Sequence, residues 1–204
     1  GETGCAEVLL KRGKNVNVAQ RSSNDLAALD YACREGHAET VALLLKHKAP
    51  RDQGQAKGGG TCPIHWATEA GHAACVSALL AAGASPNTPR EDGSTALFYA
   101  AIRGRSECMR LLLDAGADAG TRRTNGVTAL HLAAQQGYDE CVSLLINAGA
   151  PVNAAVGNKA TERMVDVTTP LDLATQTKAR GVMTLLKQAG GLTGAELSAG
   201  QPAK

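Results

Sequence analysis

Aromatic side chains are scarce. Tyr31, Trp66, Phe98, Tyr99 and Tyr138 are all that 204 residues contain. A β-sandwich or barrel draws heavily on aromatic and β-branched residues, so the scarcity argues against both. Long apolar runs are missing as well. No stretch approaches the ~18 residues needed to cross a bilayer, so no membrane insertion is expected. No basic segment precedes an apolar one, so no secretory signal is visible. An excess of one charge is also missing. The 21 Lys and Arg against 19 Asp and Glu leave +2, which provides no electrostatic footprint for DNA or an acidic membrane surface. The first residue is Gly rather than Met, so the chain is expected to be a monomeric part of a longer protein.

What is abundant is Ala, Leu and Gly, which suits close-packed short helices joined by tight turns. The chain also repeats itself. One phrase reads Cys62-Pro63-Ile64-His65-Trp66-Ala67, then Thr95-Ala96-Leu97-Phe98-Tyr99-Ala100. It returns as Thr128-Ala129-Leu130-His131-Leu132-Ala133 and Thr169-Pro170-Leu171-Asp172-Leu173-Ala174. A degenerate copy is Ala27-Ala28-Leu29-Asp30-Tyr31-Ala32. The starts at 27, 62, 95, 128 and 169 lie 35, 33, 33 and 41 residues apart. Each is followed by a Leu-Leu pair, at 44, 79, 112, 144 and 185, and three then run into Gly-Ala at 83, 116 and 149.

Each part has a physical task. Thr before an apolar run caps a helix start, and Pro is tolerated at the first helical position. Gly36, Gly71, Gly104 and Gly137 sit where a short helix must stop and reverse. The unit is therefore helix, turn, helix, extended polar loop. One unit cannot bury its own apolar face, so units must stack. The unit at 27 lacks the Thr-Pro cap, so its first helix is expected to be weaker by roughly 1 kcal/mol.

With these phrases in register, the sequence resembles the ankyrin repeat family. The resemblance rests on the 33-residue period, the T-P-L-H-x-A phrase and the ending Gly149-Ala150-Pro151-Val152-Asn153. It implies an all-α solenoid of stacked helix pairs with projecting β-hairpin loops. It covers residues 1–190, as a partial repeat over 1–17 and five full repeats starting near 25, 60, 93, 126 and 167. Departures are expected at an inserted loop over 154–168, at one residue lost near Thr177–Arg180, and in a flexible tail over 191–204.

Candidate chemistry is sparse. Cys62-x-x-His65 looks like half a zinc site, but a structural zinc needs a second pair and none lies nearby. Gly54-Gln55-Ala56-Lys57-Gly58-Gly59-Gly60-Thr61 superficially resembles a phosphate-binding loop, but Gly60 stands where that motif demands Lys. Cys75, Cys108 and Cys141 recur every 33 residues. They belong to one slot in successive helices ~8–10 Å apart, too far for disulfides. Free cysteines point to a reducing compartment, cytoplasmic or nuclear. No catalytic, metal or cofactor site is expected, and the chain is read as non-enzymatic.

The remaining signal is positional. Tyr31, Trp66 and Tyr99 fill the same slot in three successive units. The resemblance places that slot on the first helix, which lines the concave face. Inter-repeat packing explains such a stripe; so does anchoring of a partner, because Trp and Tyr are favoured hot-spot residues. By the same resemblance Arg34, Glu35, Glu69, Ile102, Arg103, Gln135 and Gln136 share that face. Glu91, Asp92 and Asn125 occupy loop tips, and Arg122 and Arg123 lead into one of them. These residues are the expected partner-binding set. The implied function is a protein–protein interaction module, an adaptor or scaffold holding a peptide or protein domain. One alternative is a regulatory or substrate-recruiting domain of a larger enzyme such as a ubiquitin ligase. Another is a nucleotide or RNA binder that stacks bases on the stripe. The resemblance also marks Asn17, Asn87 and Asn153 as candidates for an asparagine hydroxylase.

Overall fold

In a computed structural model, residues 26–52, 54, 59–157 and 167–199 are described. Among them the chain forms five helix pairs. They are α1 (Ala28–Glu35) with α2 (Ala38–Lys46), α3 (Pro63–Ala70) with α4 (Ala73–Ala81), and α5 (Ala96–Arg103) with α6 (Ser106–Asp114). Next come α7 (Ala129–Gln136) with α8 (Asp139–Asn147) and, after a short hairpin, α9 (Pro170–Gln176) with α10 (Arg180–Gln188). A last helix, α11, spans Gly194–Ala199.

The helices are short because each carries a start and a stop. At the starts the residue three after the cap reaches back to it. His65 Nδ1 accepts the Cys62 N–H at 2.9 Å, and His131 Nδ1 accepts the Thr128 N–H at 3.2 Å. Asp172 Oδ2 accepts the Thr169 N–H at 2.8 Å. The degenerate first unit is not left uncapped. Asp30 Oδ2 accepts the Ala27 N–H at 2.8 Å, so half of the reciprocal cap survives without the Thr hydroxyl. At the stops, Gly36 takes φ +83° at the end of α1. A Cβ there would lie 2.7 Å from the His72 ring of the next unit, so Gly allows both the reversal and the close stacking.

Two Lys residues occupy slots that Gly fills elsewhere. Lys48, at the end of α2, has φ +61°, and Lys178, after α9, has φ +59°. Lys178 also corrects one expectation. It lies nine residues past Thr169, as Gly137 lies nine past Thr128, so no residue is lost in the final unit. A side chain has simply replaced hydrogen in a left-handed position.

First helices stack on first helices, in the order α1, α3, α5, α7, α9, and second helices stack likewise from α2 to α10. The core is one continuous ribbon of buried Ala, Leu, Val and Cys between the two rows, with Ile64, Phe98 and Met109 filling the wider gaps. Cys75, Cys108 and Cys141 are buried free thiols on the inner side of α4, α6 and α8.

The segment after residue 190 differs from the expected frayed tail up to residue 199. Thr193 caps α11 through the Glu196 carboxylate at 2.7 Å, and the Gly194 N–H donates to Asp172 Oδ2 at 2.8 Å. That second bond ties the tail to the cap of α9. Its sequence carries no apolar stripe, so the anchoring is invisible without the tertiary contact. The partial repeat over 1–17 lies outside the described residues.

Candidate binding surface

Between the helix pairs the chain turns out into fingers that run along the edge of the first-helix row. In one, Arg90 N–H donates to Ser94 O at 2.8 Å. In the next, Arg123 N–H donates to Val127 O at 2.9 Å, and Arg122 pairs antiparallel with Thr128. The fingers also bond to one another. The Glu91 N–H donates to Gly59 O at 3.0 Å, and the Thr124 N–H donates to Asp92 O at 3.0 Å. The base of the inserted loop is a two-stranded hairpin, β1 (Val156–Gly157) antiparallel to β2 (Val167–Thr168). The apex, 158–166, lies outside the described residues.

Buried histidines fasten this edge to the helices. With Nδ1 of each ring used as an acceptor, Nε2 carries the proton and faces the carbonyl of a finger. His65 reaches Thr88 O at 3.1 Å, and His131 reaches Thr168 O at 3.4 Å. Both rings are almost fully buried, and burial pulls their pKa down to about 4. The Cys62-x-x-His65 pair is therefore a cap. Cys62 Sγ donates to Asp52 O at 3.2 Å, and both His65 nitrogens are engaged. Burial raises the Cys75 thiol, and pushes Cys108 and Cys141 up to about 11, which leaves them poor nucleophiles.

The aromatic stripe is half-buried throughout. Tyr31 carries the Arg34 guanidinium 5.0 Å from its ring centroid, and Arg34 pairs with Glu35 at 2.9 Å. Trp66 packs against the core, with its indole N–H buried and without a hydrogen-bond partner among the described residues. Tyr99 meets the His65 ring edge-on at 5.7 Å, and its hydroxyl accepts from Arg90. Ile102 is half-buried against the same core. Glu69 and Arg103 join α3 to α5 at 2.8 Å, while Gln135 and Gln136 stand exposed on α7. Charge and amide groups therefore form an outer rim along a partly covered aromatic floor.

The finger residues build turns as well as tips. Asp92 accepts from the Ser94 N–H at 2.9 Å and the Ser94 hydroxyl at 2.7 Å. Partial burial works against its charge, but the Ser94 donors and the Arg123 and Arg90 guanidiniums outweigh it and hold the carboxyl below the usual range. Asn125 Oδ1 accepts the Val127 N–H at 3.1 Å, and Glu91 is exposed. Asn87 and Asn153 bridge units instead of hanging free. Asn87 donates to Gly116 O at 3.0 Å and accepts from the Asp118 N–H at 2.8 Å, and Asn153 does the same with Gly190 and Leu192 at 3.1 and 2.7 Å.

Sequence reasoning missed Arg90, which joins a finger to Tyr99. Arg123, in the next finger, instead reaches back to the preceding unit, 5.1 Å over the buried Phe98 ring. The signal was available: both arginines precede their caps, Thr95 and Thr128, by five residues.

A family model described as ankyrin repeats matches three overlapping stretches of the chain, residues 1–90, 64–156 and 115–195. The chain belongs to the ankyrin repeat family. Among curated proteins it is 39% identical over 93 residues to the chicken (Gallus gallus) nuclear factor NF-kappa-B p105 subunit, covering 45% of this chain and 9% of that protein. It is 36% identical over 96 residues to the probable E3 ubiquitin-protein ligase XBOS33 of rice (Oryza sativa subsp. japonica), covering 47% and 18%. It is 34% identical over 73 residues to human (Homo sapiens) ankyrin repeat domain-containing protein 63, covering 36% and 18%. The chain thus spans less than a fifth of the length of these relatives. Ankyrin repeats are protein–protein interaction modules and are generally non-catalytic. No described helix is long and apolar enough to cross a membrane.

Proposed function

We propose that this chain is a non-enzymatic adaptor or scaffold module that holds a peptide segment or protein domain on its first-helix row and fingers. One observation carries the reading. Across α1, α3, α5 and α7, half-buried Tyr31, Trp66, Tyr99 and Ile102 form a floor rimmed by Arg34, Glu35, Glu69, Arg103, Gln135 and Gln136. An apolar centre with a polar rim is the usual anatomy of a protein interface. The stack is already ordered by its cross-repeat bonds, so little entropy is lost when a partner lands. Glu91, Asp92 and Asn125 extend the rim along the fingers. The free buried thiols suit a cytoplasmic or nuclear setting. Likeness to a probable ubiquitin ligase supports a recruiting role within a longer protein as the second reading.

Selection of displayed peptides on the folded chain tests this. Selected binders are expected to lose at least about tenfold in affinity to Tyr31→Ala or Ile102→Ser, with thermal melts showing both variants folded. Arg110→Ala, on the second-helix row, is expected to leave binding unchanged. Loss confined to Arg110→Ala would place the interface on the opposite row.

A further inference from the structure

An open groove of about 390 Å³ separates the finger at Arg122–Gly126 from Ala155 and the first strand of the hairpin, β1. Arg122 and Arg123 line it, and among the described residues no Asp or Glu does. Arg34, Arg51, Arg103 and Arg110 each hold a carboxylate within 3.5 Å. Arg122 does not. Its hydrogen bonds go to Gly126 O at 3.3 Å and Ala155 O at 3.4 Å, so its charge is oriented across the groove without being neutralised. Arg123 is fixed beside it by Phe98 beneath and by Asp92 at 3.9 Å. At the lip, Asn125 uses its Oδ1 to hold the Val127 N–H, which turns its amide NH₂ outward as a donor, and Thr124 is exposed. Two glycines, Gly126 and Gly157, keep the walls open.

We propose that this groove is the anchoring subsite for an acidic segment of an extended peptide, with a Glu or Asp side chain of the partner seated on Arg122. The charged side-chain functions there are donors only, and a carboxylate is the acceptor-only side chain that matches a guanidinium fork. Val156 and the arginine methylenes supply an apolar wall for the peptide's own stem. The chain's overall +2 charge favours a local acidic contact over a nucleic-acid backbone, which requires a long basic track. The proposal rests on the reading of the array as a peptide-binding surface and specifies the chemistry it selects.

Fluorescence anisotropy of the full chain with a labelled alternating Glu-Ala peptide, its Gln-Ala counterpart and oligouridylate decides it. The Glu peptide is expected to bind more tightly than the Gln peptide and to weaken with added salt. Arg122→Ala is expected to weaken it by about tenfold or more. Arg110→Ala, whose guanidinium already holds Glu107 and Asp114, is expected to change nothing. Thermal melts check that both variants fold. Equal affinity for the two peptides, no saturable binding, or an unchanged Arg122→Ala overturns the proposal. So does tighter oligouridylate binding that Arg122→Ala abolishes. If the Glu peptide fails while display-selected binders still depend on Tyr31, the groove assignment falls and the wider reading stands. If those binders also ignore Tyr31 and Ile102, both fall.

Discussion

Acidifying the protein from pH 7 to pH 5 should weaken it through two histidines. His65 and His131 are buried as neutral rings, with folded pKa values of about 4 against an ordinary 6.5. In the unfolded chain both take up a proton as the pH falls through 6.5; in the fold they resist until about 4. The contribution is therefore complete above 6.5 and is lost as the pH falls toward 4. At 1.36 kcal/mol per pKa unit, each ring accounts for about 3 kcal/mol over the full range. Between pH 7 and pH 5 about 2 kcal/mol of that disappears per ring, so the pair costs about 4 kcal/mol. This window lies above the carboxylate range, so Asp92, Glu107 and Glu196, all held low, contribute their own loss only at more acidic pH. The chain contains its own control. Asp30 and Asp172 occupy the same slot and make the same backbone cap at 2.8 Å. His65→Asp/His131→Asp should keep the caps, lose the bonds to Thr88 and Thr168, and flatten the pH dependence. Urea unfolding followed by circular dichroism at pH 7, 6 and 5 measures this. An unchanged midpoint for the wild type between pH 7 and 5, or an equal slope in the double variant, refutes the capping argument.

Two further outcomes follow from individual residues. Lys48→Gly and Lys178→Gly should each raise stability by about 1 kcal/mol, because both Lys residues sit at positive φ where a Cβ is strained; urea midpoints check this, and the gains should add because the sites lie in separate units. Cys75, Cys108 and Cys141, buried with raised pKa values, should resist a thiol reagent at pH 8 and react only when urea unfolds the array; labelling of these sites at native rates, read by peptide mass spectrometry, would contradict their place in the core.

Much of the helical scaffold was legible because its causes are local. A cap, an apolar stripe and a reversing Gly act within a dozen residues, so their recurrence marks each helix pair. The slot shared by Asp30, His65, His131 and Asp172 was legible as a repeat position, but not which finger carbonyls, Thr88 and Thr168, its two histidines reach. The candidate surface was only half legible. Sequence register grouped Tyr31, Trp66 and Tyr99, but it did not show that Arg34 and Arg90 lie against two of those rings. Nor did it distinguish turn-building Asp92 and Asn125 from loop tips free to meet a partner.

The sequence by itself determined the unit, its helical class and its need to stack, because a single helix pair leaves an apolar face that only a copy of itself can cover. Tertiary structure decided the rest through contacts between residues 22 to 34 apart. Asn87 bridges to Asp118, Glu69 pairs with Arg103, and Asp172 holds the tail helix through Gly194. Tertiary structure alone also opened the groove beside Arg122. Such contacts depend on where flexible polar side chains and backbone amides meet once the stack exists. The hydrophobic period does not record them, because each depends on which polar groups face one another across two units, even where a residue such as Asn87 or Asn153 recurs in its slot.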